Sequence, residues 1–201
     1  MLESIGFVCE FGVKRGGRES VAIFVLQAYN LEMIIRYGTT DDANILAEFG
    51  AETFSDTFGA DNTPENIRLF LARTYSPEIQ LQELSNPSTI FLIVEIDDKI
   101  AGYAKLTLGN RDDSIHGTKV VEIERIYVAK EHIGKGIGKS LMQASIQEAK
   151  QRGSESLWLG VWEKNPRAIE FYKKRGFKEI GTHVFMLGDD PQRDYIMELR
   201  L

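Results

Sequence analysis

One stretch constrains the fold more than any other: Glu124-Arg125-Ile126-Tyr127-Val128-Ala129-Lys130-Glu131-His132-Ile133-Gly134-Lys135-Gly136-Ile137-Gly138-Lys139-Ser140-Leu141-Met142. An apolar strand runs into three alternating glycines, and these run into the first turn of an amphipathic helix. Glycine takes positive φ with no Cβ in the way, so such a loop can turn successive N–H groups inward around an anion. A helix that opens there adds its unpaired amides and the positive end of its dipole. The segment therefore reads as a phosphate grip; a loop that merely reversed the chain would need neither the strand nor the helix.

Spacing decides what kind of grip. A P-loop needs a glycine, four residues, then Gly-Lys-Ser/Thr; with Gly138-Lys139-Ser140 at its end, the leading glycine slot falls on Ile133, one residue before Gly134. A dinucleotide loop needs G-x-G-x-x-G, whereas Gly134, Gly136 and Gly138 give G-x-G-x-G. Neither template fits.

The chain's 201 residues suit one domain with a core that needs no metal or disulfide staple. Apolar content of 43% and charged content of 27% are ordinary for a water-facing globular protein. A net charge of -6 argues against nucleic acid or an anionic membrane as main partner, and leans toward a cationic substrate. Cys9 is the only cysteine, so no intrachain disulfide forms and a reducing, cytoplasmic setting is expected. His116, His132 and His183 are far apart and show no metal-ligand spacing, so no metal is expected. Composition leaves assembly as a homodimer open.

Residues 1–32 read as an N-terminal extension of undefined role. Lys14, Arg15 and Arg18 precede the apolar run Val21-Ala22-Ile23-Phe24-Val25-Leu26 in the manner of a secretion signal, but Glu3, Glu10 and Glu19 and the shortness of the run oppose that reading. The domain is expected over 33–201, opening on a strand at Met33-Ile34-Ile35-Arg36-Tyr37-Gly38. Thr40 is placed as a helix N-cap, with Ile45, Leu46 and Phe49 on one face of the helix. Thr63-Pro64 and Ser76-Pro77 open two further helices. Residues 89–95 and 99–108 form an antiparallel hairpin around Asp97-Asp98, and 119–128 form the strand that enters the glycine loop. A helix over 136–152 stops at Gly153, and closing strands are expected at 178–185 and 195–201 around a turn at 188–192.

A second motif follows the strand 156–161. In Asn165-Pro166-Arg167-Ala168-Ile169-Glu170-Phe171-Tyr172-Lys173-Lys174-Arg175-Gly176-Phe177, Asn165 can cap, Pro166 suits the first helical position, Ala168 and Tyr172 share a face, and Gly176 ends the helix. The pattern Asn-x-x-Ala-x-x-x-Tyr-x-x-x-Gly-Phe, together with Gly136 and Gly138 in the loop upstream, resembles the cofactor site of the GNAT acetyltransferases. In that family the loop usually begins with Arg or Gln; here Ile133 takes the slot, so backbone amides must carry the grip. The resemblance covers most of 33–201. It implies an α/β fold with a mixed, mostly antiparallel central sheet, splayed in the middle and flanked by helices.

The resemblance further implies an enzyme that moves the acetyl group of acetyl-CoA to a primary amine by direct attack in a ternary complex. Gly134, Lys135, Gly136, Ile137, Gly138 and Lys139 would hold the pyrophosphate; Ile126, Tyr127 and Val128 would pair with the peptide-like pantetheine arm where their strand splays from residues 159–161; Asn165 would reach the cofactor from the next loop. The region from Met33, the strand Ile123-Glu124-Arg125-Ile126-Tyr127-Val128 and Phe185-Met186-Leu187-Gly188-Asp189-Asp190 resemble the PaiA-type polyamine acetyltransferases in particular, implying spermidine or spermine as acceptor. Glu52, Asp56 and Asp61 would suit such a polycation. A peptide or protein N-terminal amine is the rival acceptor, and a non-catalytic CoA-binding module the rival class.

The chemistry sets its own demands. An alkyl amine of pKa about 10.4 is neutral in roughly one molecule in 2,500 at pH 7, about 4.6 kcal/mol of unreactive protonation. A base or a water relay must remove that proton, and Glu122 and Glu124 are the candidates, on one face if their strand is regular and separated if it bulges. Each is equally readable as a strand glutamate paired with Arg125. The leaving thiolate has a conjugate acid near 8.5, so a hydroxyl against the sulfur helps it depart; Tyr172 is the candidate.

Overall fold

The computed structural model describes residues 10–12, 23–28 and 31–201, with side chains from Met33 onward. The basic cluster Lys14, Arg15 and Arg18 lies outside the described residues. Among the described residues nine strands, β1 (Glu10–Gly12), β2 (Ile23–Ala28), β3 (Leu31–Tyr37), β4 (Thr89–Ile96), β5 (Lys99–Leu108), β6 (Val120–Val128), β7 (Ser156–Trp162), β8 (Lys178–Leu187) and β9 (Asp190–Arg200), form one sheet in the order β1-β2-β3-β4-β5-β6-β7-β9-β8. Every described pairing is antiparallel except β6 with β7. The sheet is therefore mixed and mostly antiparallel, as expected, and the strands that line the site are β6, β7, β8 and β9.

Five α-helices among the described residues cover it: α1 (Ala43–Phe58), α2 (Pro64–Thr74), α3 (Pro77–Ser85), α4 (Ile137–Gln151) and α5 (Pro166–Lys173). The principal core lies under α4 and α5, where Ile137, Leu141 and Met142 meet Val121, Ile123, Leu157 and Leu159. On the opposite face, Leu46 and Phe49 of α1 pack on Phe91, Ile93 and Tyr103. Each fully buried Leu, Ile or Phe removes enough apolar surface from water to contribute about 1.5–3 kcal/mol. Among the described residues no helix is long and apolar enough to cross a membrane.

Local signals set the helix ends. Thr63 Oγ1 accepts from Asn66 N–H at 3.2 Å and Ser76 Oγ from Ile79 N–H at 3.3 Å, each followed by proline at the first helical position. Gly153, at φ +67°, stops α4. Ahead of α1 a 3-10 turn over Thr40–Asp42 is capped by Thr39, and α1 itself has Asp42 at its N-cap instead of Thr40; Thr39 N–H donates to Asp42 Oδ2 at 2.7 Å, and Arg36 grips the same carboxylate at 2.7 and 2.8 Å. Ile45 is 44% exposed, off the buried stripe of Leu46, Phe49 and Phe54, so the expected face is right in two of its three residues. The last hairpin turns more tightly than expected. Gly188, at φ +65°, lets β9 begin at Asp190, and Pro191 sits at the hairpin end opposite Met186.

Candidate active site

Strands β6 and β7 pair over three residues only: Val120 with Ser156, Val121 with Leu157 and Glu122 with Trp158. Beyond them β6 stays on β5 as far as Val128 and β7 stays on β9 as far as Trp162. The two halves of the sheet part company after Glu122, and a cavity of about 750 Å³ opens in the gap. Ile126, Tyr127 and Val128 line one side of it; Gly160, Val161 and Trp162 line the other.

At one end lies the glycine loop. Gly134 and Gly136 hold φ of +88° and +92°, and a Cβ on either would meet nothing within 4 Å, so the space above the loop is open. The first bond inside α4 runs from Ser140 N–H to Gly136 O at 3.0 Å, so the amides of Ile137 and Gly138 lie ahead of it, at the helix end. Gly134, Gly136, Gly138 and Lys139 line the cavity; Lys135 and the side chain of Ile137 do not, the latter being packed into the core at 1% exposure. Ile133 also lines it, with an apolar side chain 43% exposed. Arg167 and Arg175 bring positive charge to the same cavity, although sequence reasoning passed over both. Arg175 is held in place by donating to Phe171 O at 2.6 Å, with its guanidinium 3.4 Å over the Phe171 ring.

Helix α5 forms the roof. Asn165 Oδ1 accepts from Ala168 N–H at 3.1 Å, which fixes the helix start, and Asn165, Ala168, Phe171 and Tyr172 face the cavity. Tyr172 is 8% exposed and packed edge-on to Phe171 at 5.4 Å. Burial pushes its phenol well above the ordinary range, so the hydroxyl keeps its proton at neutral pH and is available as a donor.

The strand before the loop does bulge. Lys105 pairs with Arg125 and Leu106 with Ile123, leaving Glu124 as the extra residue. Glu124 lines the cavity and bonds Lys105 Nζ at 2.7 Å and Thr107 Oγ1 at 2.9 Å, with Arg125 at 3.3 Å. Burial works to raise its pKa, but Arg125 and Lys105 outweigh burial and leave it below the ordinary carboxylate value. Glu122 stands off the cavity lining, 9% exposed, and accepts from Asn110 Nδ2 at 2.5 Å. Burial raises its pKa. The bulge thus gives the two glutamates different partners and opposite shifts.

The far end of the cavity is aromatic. Phe54 stacks on Phe70 at 4.3 Å and tilts against Phe58 at 4.7 Å; Trp162 meets Phe58 at 5.9 Å and Phe185 meets Phe70 at 5.5 Å. Tyr75 and Tyr127 share a 3.2 Å hydroxyl bond beneath them, with Arg125 5.1 Å over the Tyr75 ring. Glu52, Asp56 and Asp61 are exposed and do not line the cavity, so the acids expected at the acceptor wall are on the solvent side of it. Asp194, which sequence reasoning did not single out, does line it. The alternation of β9 places Asp194 on the same sheet face as Trp162, its cross-strand partner.

An open glycine cradle at a helix end, a strand edge released from its neighbour and a buried phenol make a slot that fits an acyl-CoA. Comparison with known proteins agrees. Residues 51–177 match the acetyltransferase (GNAT) family. An uncharacterised N-acetyltransferase of Lactobacillus delbrueckii subsp. lactis is 38% identical over 150 residues, 75% of this chain and 87% of that one. The spermidine N(1)-acetyltransferase of Thermoplasma acidophilum is 28% identical over 169 residues, 82% of this chain and 94% of that one. The crystal structure of the PaiA N-acetyltransferase of Thermoplasma acidophilum in complex with coenzyme A superposes with a TM-score of 0.70 at 28% identity, covering 84% of this chain and 99% of that one. The splayed sheet, the glycine cradle and these relatives together place the chain in the GNAT family of acetyl-CoA-dependent N-acetyltransferases.

Proposed function

We propose that this acetyltransferase acts on a primary amine of a cationic, elongated acceptor of the polyamine class. The observation that carries the reading is the pairing of cations and carboxylates in the lining of one cavity. Lys139, Arg167 and Arg175 line it together with the glycine loop, as a polyphosphate requires, while the carboxylates of Glu124 and Asp194 line it beside an aromatic wall. Carboxylates attract ammonium groups, and aromatic faces accept both methylene segments and cations. The similarity to a spermidine acetyltransferase supports the same class.

Acetyl-CoA, when bound, supplies a thioester-activated acyl group. Gly134, Gly136 and Gly138, with the amides at the start of α4, hold its diphosphate. Ile126, Tyr127 and Val128 offer the backbone edge that the splay leaves without a strand partner on that side. Glu124, kept anionic by Lys105 and Arg125, meets the incoming ammonium. It is a weak proton acceptor for that reason, and Glu122, with its raised pKa, ends a water-borne path for the proton. Tyr172 donates to the departing sulfur.

The test is free-thiol release from acetyl-CoA with spermidine, with a short peptide bearing a free N-terminus, and with no acceptor. Release with spermidine above the blank is the expected result. Release with peptide alone would move the acceptor class, and silence with both despite CoA binding would remove the catalytic reading.

A further inference from the structure

Across the splay from Glu124, a second titrating group stands behind the cavity wall. His183 on β8 is the direct cross-strand partner of Asp194 on β9, and its Nε2 lies 3.6 Å from Asp194 Oδ2. That nitrogen is buried and has no hydrogen-bond partner. It can reach its position because the neighbouring strand carries glycine there: a Cβ on Gly160 would fall 2.9 Å from His183 Nε2 and 3.4 Å from Asp194 Oδ2. Gly160 is also a cavity-lining residue, two positions beyond Trp158, where the β6–β7 ladder ends. An imidazole nitrogen and a carboxylate are thus packed together at the acceptor side of the slot, held by absence of a side chain.

We propose that Asp194 seats a second, non-reacting ammonium of the acceptor, and that His183 governs the seat. Protonated, the imidazolium takes up the Asp194 charge; neutral, it leaves the carboxylate to the ligand. This rests on the reading of the acceptor as a cationic amine, and it narrows that class to di- and polyamines. Glu124 on β6 and Asp194 on β9 are on opposite flanks of the gap, so one chain with two cations can answer both, whereas a monoamine can answer only one. The groups facing His183 are Asp194 from β9, Asp112 from the loop after β5 and Glu122 from β6. Pairing with Asp194 raises the imidazole pKa against the opposing effect of burial, and the other two acids add to the rise. The switch therefore operates above the ordinary histidine value of about 6.5.

The experiment compares a linear diamine with the monoamine of equal length, in the wild type, Asp194→Asn and His183→Gln, from pH 6 to 8.5. The wild-type KM for the diamine should fall about tenfold as pH rises, and the monoamine KM should lack this limb, since both amines stay mostly protonated over the range. Asp194→Asn should raise the diamine KM about tenfold at pH 8 and leave that for acetyl-CoA with the wild type; His183→Gln should flatten the diamine limb. Equal effects on both amines, or a diamine limb surviving in His183→Gln, would overturn the proposal. NMR titration of the His183 ring supplies an arm that needs no turnover: adding the diamine should lower its pKa and adding the monoamine should not. If no amine is acetylated, the acyl-transfer reading fails, and a His183 titration that the diamine leaves in place would overturn the seat as well.

Discussion

The ammonium of Lys105 stands 2.7 Å from the carboxylate of Glu124, and it is 5% exposed. Its other partner is Glu83, at 2.6 Å, which also takes both terminal nitrogens of Arg125 at 2.7 and 2.8 Å. A buried cation that serves two acids ties the acceptor side of the site to α3, and removing either acid leaves charge short of compensation.

Glu124→Gln should therefore act on both activity and stability. Replacing a charged bond to a buried ammonium should destabilise by about 1–2 kcal/mol at pH 7. The folded-state pKa of Glu124 lies below its unfolded value, so its contribution is present above about pH 4.5 and is lost as pH falls through the folded value. Urea midpoints of wild type and variant should accordingly differ at pH 7 and converge as the pH is lowered. Parallel curves at all pH values would mean that the carboxylate charge is not what stabilises.

Gly136→Glu should abolish CoA binding while the protein still folds. At φ +92° any side chain is strained, at a cost of about 1–2 kcal/mol, but the new Cβ itself meets no atom within 4 Å. The added carboxylate would occupy the anion cradle at the start of α4 and repel a diphosphate. Calorimetry should show affinity falling at least a hundredfold beside a thermal midpoint lowered by a few degrees. Retained binding would place the phosphates elsewhere.

Tyr172→Phe should lower kcat roughly a hundredfold, the low end of what a positioned proton donor contributes, with the KM for acetyl-CoA within a few-fold of the wild type. The ring remains to pack against Phe171 and Phe177, so the fold is kept. Normal single-turnover rates in this variant would remove the hydroxyl from the mechanism.

Gly50 has a mechanical role at the aromatic wall. A Cβ there would lie 2.5 Å from the Tyr75 ring, which lines the cavity and bonds Tyr127. Gly50→Ala should cost about 1–3 kcal/mol through overpacking and raise the acceptor KM with little change in that for acetyl-CoA. A variant as stable as the wild type would show that Tyr75 can move aside freely.

How much of this was legible in the sequence differs between the two ends of the cavity. The cofactor end is built from contiguous motifs whose physics is local: glycines that need positive φ, and Asn165-Pro166 and Gly176 that start and stop a helix within a dozen residues. The acceptor end is assembled from α1, α2, β7, β8 and β9, and nothing local distinguishes Phe54, Phe185 or Asp194 from residues that merely pack or face water. Glu52, Asp56 and Asp61 looked suitable because charge is visible in a sequence and orientation is not. Strand alternation could have put Asp194 and Trp162 on one face, but only after the β7–β9 register was known. The bulge at Glu124 stood in the sequence only as an alternative to a regular strand, because it depends on how Lys105 and Arg125 pair across strands.

The three-pair ladder between β6 and β7 has a consequence for how the protein tolerates change. The slot is not hollowed out of a core; it exists because two strands stop bonding after Glu122. A substitution that let them zip even two residues further would make a better sheet and a worse enzyme, sealing the slot while every residue around it kept its identity. Selection for stability alone would therefore push this protein toward closing its own binding site, and its activity depends on hydrogen bonds that the sheet leaves unmade.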